Sequence, residues 1–170
     1  MNIFKTSCFI IFLLTGTNIN LFSQETLPEV TVVSMNYKYL KSVHDTSAAQ
    51  PVRLLERRAA SFDIKKSDFY EEDQEEYFVS FYIPQGQILA FYDKNGKIIH
   101  TAERYKNIAL PQSARKSIAE RYPNWTIASD VYLVNYYGSD NTSKKVYKIV
   151  LENGTKRLRI KADEQGKFID

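Results

Sequence analysis

The chain has 170 residues, a formal charge of +3, one cysteine and a 14% aromatic share that includes 12 tyrosines. That length fits one domain or two small ones. The near-balanced charge, without a basic or acidic tail, excludes a dedicated nucleic-acid binder, and a 44% apolar content excludes a disordered chain. The tyrosines suit half-buried sheet faces, where the ring packs and the hydroxyl reaches water.

Lys5 precedes an apolar run, Cys8 to Leu14, and Leu21-Phe22-Ser23 then leads to Gln24. This is the layout of a secretory signal peptide at 1–23. A buried N-terminal helix or strand is the alternative. The run is too short to span a bilayer, which takes about 20 residues. Cys8 lies inside the run rather than after it, which argues against a lipid anchor. It leaves with the signal, so disulfides, thiol catalysis and zinc–thiolate sites are excluded from the mature chain. The expected location is periplasmic or secreted, with no membrane span.

Residues 24–46 form a lead-in segment, in which Glu29 to Val33 is β-prone, as a strand or an extended arm. Asp45-Thr46-Ser47 offers a helix N-cap. A helix over 48–60 follows, with Val52, Leu55, Ala59 and Phe62 on one face and Arg53, Glu56 and Arg57 pointing away. The acidic run Glu71 to Glu76 reads as a solvated loop, since a calcium loop needs a turn glycine that is missing. Tyr77, Val79, Phe81 and Ile83 alternate with Phe78, Ser80 and Tyr82 in a strand. Pro84-Gln85-Gly86 turns into a second strand, Ile88 to Tyr92. Asp93-Lys94-Asn95-Gly96 turns into a third, Lys97 to Tyr105.

Pro111 opens a second helix over 111–121, with Leu110, Ala114, Ile118 and Tyr122 inward and Arg115, Lys116, Glu120 and Arg121 solvated. Trp125 to Tyr137 is apolar on both alternations, which predicts a bulge or two-sided burial. A loop at Gly138 to Ser143 precedes a strand at Val146 to Leu151. Glu152-Asn153-Gly154-Thr155 turns into Lys156 to Ala162, and Asp163-Glu164-Gln165-Gly166 turns into Lys167-Phe168-Ile169. Tyr77 and Tyr147, and the turns at Asp93 and Asp163, are both 70 residues apart. The pattern predicts an α+β chain of two tandem helix-plus-antiparallel-sheet units, at 47–106 and 107–170, with the helices on one face of the sheet.

These residues also carry a resemblance. Ala90-Phe91-Tyr92-Asp93-Lys94-Asn95-Gly96-Lys97, then Leu110-Pro111-Gln112-Ser113-Ala114 with Ile118 and Tyr122-Pro123, are similar to the PepSY-like, beta-lactamase-inhibitor-like periplasmic family. Val146-Tyr147-Lys148-Ile149 and Asp163-Glu164-Gln165-Gly166-Lys167 continue the pattern, which covers roughly residues 50 to 170. The resemblance implies small exported modules with helices packed on an antiparallel sheet. It implies protein binding or inhibition rather than catalysis, without implying that this chain inhibits a beta-lactamase. It supplies no catalytic motif to carry over.

The chemistry-bearing residues agree. His44 and His100 lack metal-type spacing, with His44 in a loop and His100 an ordinary sheet residue. There is no nucleophile elbow, P-loop or dinucleotide fingerprint. Nucleotidyl transfer lacks its His-x-Gly-His pair. No catalytic, cofactor or metal residue is assigned, and an orphan envelope enzyme is the alternative reading. Three Asn-x-Ser/Thr triplets, at Asn124, Asn141 and Asn153, are common by chance. The candidate site is a face. If Leu158, Ile160 and Ala162 point inward, Arg157, Arg159 and Lys161 point outward. On the neighbouring strand, Tyr147, Ile149 and Leu151 point inward and Lys148 outward. Such a basic stripe with nearby tyrosines suits an acidic protein or envelope polymer, although charged residues also keep an exposed sheet face soluble.

Overall fold

Turn chemistry sets the register of the sheet. Pro84-Gln85 is a two-residue turn that places Ile83 opposite Gly86. At the next turn, the Asp93 Oδ1 accepts from the N–H groups of Asn95 and Lys97, each at 2.9 Å, and Gly96 adopts φ +86°. The same bonds recur 70 residues on. The Asp163 Oδ1 accepts from Gln165 at 3.0 Å and Lys167 at 2.8 Å, with Gly166 at φ +82°. An aspartate that caps its own turn, followed by a glycine in the left-handed region, explains both sequence motifs. Among the residues of the first turn, only Gly96 takes positive φ. The turn thus ends in a glycine bulge instead of a paired Asn-Gly turn.

A computed structural model describes residues 36–169. The signal peptide expected at 1–23 and the run expected to be β-prone at Glu29–Val33 lie outside the described residues. Seven strands form one antiparallel sheet in chain order. They are β1 (Glu76–Ile83), β2 (Gly86–Asp93), β3 (Ile98–Lys106), β4 (Thr126–Tyr137), β5 (Thr142–Asn153), β6 (Lys156–Ala162) and β7 (Phe168–Ile169). The helices are α1 (Tyr37–Val43), α2 (Gln50–Ser61) and α3 (Gln112–Arg121). The chain is therefore α+β with an antiparallel sheet, as its patterning predicts.

Each strand alternates between an inner face on the core and an open face. Register carries one inner row through Tyr105, Tyr132, Tyr147 and Ala162 across β3 to β6. One core gathers these with Val52, Leu55 and Ala59 of α2, and with Leu110 and Ile118 at α3. Val52, Leu55 and Ala59 fall at helical spacing, so α2 buries the stripe read from sequence. β4 is irregular between Ile127 and Ser129, in line with its two-sided apolar pattern. Asn124 and Asn141 take positive φ, at 69° and 56°, so two of the chance triplets are turn-formers.

Four expectations need correction. First, the lead-in segment contains a helix, α1, for which no helix was expected. It has no capping side chain, and tertiary bonds hold its start instead. The Asn36 Nδ2 donates to the carbonyls of Gly96 (3.1 Å) and Ala60 (3.4 Å), and its Oδ1 accepts from the Ile98 N–H at 2.8 Å. Second, β5 starts at Thr142 and ends at Asn153, because it pairs with β4 along nearly its whole length. Third, the core tyrosines are not half-wet. Tyr39, Tyr77, Tyr92, Tyr105, Tyr132, Tyr136 and Tyr147 are fully buried, and several of their hydroxyls bond to protein, as Tyr92 does to the Ala59 carbonyl at 2.8 Å. Fourth, Glu56 does not point to solvent. It is 1% exposed, on the buried side of α2.

Candidate binding face

The open face of the sheet has two regions. Over β1 to β4, register aligns Phe78, Phe91, His100 and Tyr137 in one row. Their rings follow one another at 5.0, 5.7 and 5.3 Å. His100 belongs to this row, and its Nδ1 lies 2.7 Å from the Tyr136 carbonyl oxygen. His44 is exposed beyond α1, so the two histidines do no joint chemistry.

Over β4 to β6 the face becomes basic. Lys148, Arg157, Arg159 and Lys161 are all exposed there. They are not equivalent. Arg157 lies opposite Glu152 and bonds to it at 2.7 Å, which neutralises that end of the stripe. Lys148 lies directly opposite Lys161 in the register of β5 and β6. Lys106 belongs to the same row, across Val131. Alternation along β6 alone could not find Lys106, since only sheet register brings β3 to β6.

The ground between these cations is apolar. Val131 and Val150, with Ser129, floor an open depression of about 330 Å³ that Lys148, Arg159 and Lys161 border. The tyrosines expected beside the stripe lie on the other side of the sheet. Tyr132 and Tyr147 stack at 4.2 Å in the core. A period of two sends the tyrosine of each strand inward when its neighbouring valine or lysine goes outward.

Two carboxyls that sequence reading did not single out are buried inside the protein and feel each other's charge. Glu103 is 2% exposed. Its Oε1 accepts from the Tyr39 Oη at 2.9 Å and the Thr101 Oγ1 at 3.0 Å, and its Oε2 accepts from the Tyr105 Oη at 3.0 Å. Burial raises its pKa, while the three hydroxyls oppose the rise. Glu56 has no such support. Among the described residues neither of its oxygens has a hydrogen-bond partner, and burial, then the Glu103 charge, push its pKa up to about 9. Of the two, Glu56 is the carboxyl held more strongly in its neutral form. Both carboxyls are buried, away from any dissolved substrate. Among the described residues no three His, Cys, Asp or Glu side chains converge as metal ligands do, and no helix is long and apolar enough to cross a membrane.

No family model matches the chain, and no curated protein matches it in sequence. Among solved structures, a BLIP-like protein from Bacteroides fragilis is similar to 59% of this chain and 69% of its own length, at 17% identity and a TM-score of 0.32. A likeness this loose bears on neither mechanism nor partner.

Proposed function

We propose that the protein is exported to the periplasm or beyond and works there as a non-enzymatic, inhibitor-like binding module. The partner is an acidic protein or envelope polymer, held on the open face of the sheet over β4 to β6. The observation that carries this reading is the depression floored by Val131 and Val150 and bordered by Lys148, Arg159 and Lys161. Apolar ground ringed by like charges is a poor solution for a face that only needs to stay wet. Lys148 and Lys161 face each other across β5 and β6, which concentrates positive potential where an anionic group would dock. Arg157, already matched by Glu152, belongs to the rim.

The sequence order within this reading is two helix-plus-sheet units, 47–106 and 107–170, with helices on one side. The equivalent aspartate-capped turns at Asp93 and Asp163 support it. Two experiments test the proposal. The intact mass of protein recovered from the cell envelope should lack residues 1 to about 23; a full-length chain would overturn export. The variant Lys148→Glu/Arg159→Glu/Lys161→Glu should fold and should fail to capture the envelope partner that wild type captures. Equal capture by a folded variant would leave these cations as a solvated face.

A further inference from the structure

The two edges of the sheet are built differently. The β6 edge presents exposed Lys156, Arg157 and Arg159, and β7 covers Lys161 and Ala162. Charged side chains and short covering strands are how natural sheets prevent edge-to-edge pairing. β1 has neither. Among the described residues it pairs only with β2, and its sequence Glu-Tyr-Phe-Val-Ser-Phe-Tyr-Ile carries one charge, at its first position, Glu76. Phe78 and Tyr82 are 54% and 61% exposed on its open side.

The hairpin fixes which backbone groups face outward. Ile83 and Gly86 close a two-residue turn, so they form a hydrogen-bonded pair. Alternation then assigns Tyr77, Val79 and Phe81 to bonds with β2. The N–H and C=O groups of Phe78, Ser80 and Tyr82 point away from the sheet.

We infer that β1 pairs with β1 of a second copy of this chain, antiparallel, about a twofold axis at Ser80, so that the sheet runs through the dimer. In this register Ser80 exchanges both backbone bonds with Ser80 of the second copy, and Phe78 does so with Tyr82. An isologous contact needs a self-complementary strand, and β1 is one. Phe78 meets Tyr82 of the other copy on the open face, twice. Each exposed ring is covered, and the Phe78–Phe91–His100–Tyr137 row gains a further ring. On the inner face Val79 meets Phe81 of the other copy, and Tyr77 meets Ile83.

The charges select the same orientation. Parallel pairing would set Glu76 against Glu76. Antiparallel pairing about Ser80 separates them by roughly 27 Å, at ~3.4 Å per residue. It also brings the acidic run Glu71 to Glu76 of each copy to the hairpin end of the other. Arg104 and Lys106 stand there, beside Tyr82 and the Pro84-Gln85 turn. The Lys106 N–H donates to the Gln85 carbonyl at 2.8 Å, which fixes that cation next to the turn. Opposite potentials therefore meet at both ends of the contact. The inference does not depend on the binding face proposed above, which occupies β4 to β6.

Sedimentation equilibrium of the purified protein over a range of concentrations tests this. Wild type should pass from monomer to dimer mass as concentration rises. Ser80→Pro removes an N–H that makes no bond within the sheet, a position where an edge strand tolerates proline. Its dimer loses the central pair of bonds, so the dissociation constant should rise roughly tenfold or more. Phe78→Lys keeps every backbone donor, places a charge at the contact and should have an effect of the same direction. Circular dichroism melts establish that each variant folds; if Ser80→Pro does not, Phe78→Lys carries the test. A wild type that stays monomeric up to its solubility limit overturns the inference, as does a dimer whose constant is unchanged in the folded variants.

Discussion

Glu56→Gln should stabilise the protein at neutral pH while leaving it unchanged in acid. The Glu56 carboxyl is 1% exposed, lacks a hydrogen-bond partner among the described residues and feels the charge of Glu103. Its pKa rises from 4.5 to about 9 on folding, through burial first and the Glu103 charge second. At pH 7 the folded chain therefore holds this proton, and the unfolded chain has released it. Taking up a proton at pH 7 against an unfolded pKa of 4.5 costs about 3 kcal/mol, at 1.36 kcal/mol per pH unit. The sign follows from the raised acid. Stability from this group is complete below the unfolded value, falls as pH rises through the interval, and levels off above about 9 where both states are ionised. Glutamine keeps the shape and is neutral at every pH. Urea melts from about pH 4 to about pH 9 should give coincident stabilities at the acid end and a variant stronger by about 3 kcal/mol at pH 7. Parallel curves for the two proteins, or a variant weaker than wild type at pH 7, would refute the buried neutral carboxyl.

Glu103→Ala should act in the opposite direction. It strands the hydroxyls of Tyr39, Thr101 and Tyr105, costs about 2–5 kcal/mol, and loosens α1, which amide exchange across residues 37–43 would register. The two turn glycines should differ. At Gly96 a Cβ finds room, 3.9 Å from the Ile64 Cγ2, so Gly96→Ala costs only backbone strain of about 1–2 kcal/mol. At Gly166 the same atom would lie 2.7 Å from the Ser113 backbone, so Gly166→Ala adds a clash and should lose about 3 kcal/mol or more in denaturant melts. Equal losses at the two positions would contradict the close approach of α3 to the β6–β7 turn.

Local chemistry was legible wherever a short segment decides its own structure. The aspartate–glycine turns, the α2 stripe of Val52, Leu55 and Ala59, and the alternation along β6 each depend on residues only a few positions apart. Features that depend on distant partners were not. α1 has seven residues and no cap, too little to nucleate alone, and it forms because Asn36 bonds to a turn 60 residues away. Glu56 lies at the border of the α2 stripe, where charge argues for water. Only the fold buries it within the field of Glu103, and nothing local to either residue signals that. The candidate face divides the same way. Outward Arg159 and Lys161 follow from alternation in β6. Their meeting with Lys148, Val131 and Lys106 follows from register, which long strands and a β4 irregularity set together.

The most direct measurement of the central claim is the salt dependence of affinity for the captured envelope partner, in wild type and in Lys148→Glu/Arg159→Glu/Lys161→Glu. Exposed charges attract an anionic partner through a screened field, with a reach of about 10 Å at 0.1 M salt. Wild-type affinity should therefore fall as salt rises. The variant should bind weakly at low salt, where repulsion is strongest, and should lose the wild-type slope. Its melting should stay close to wild type, because exposed charges contribute little to stability. An affinity that matches wild type at low and at high salt, in a variant that melts normally, would contradict a binding role for the basic face.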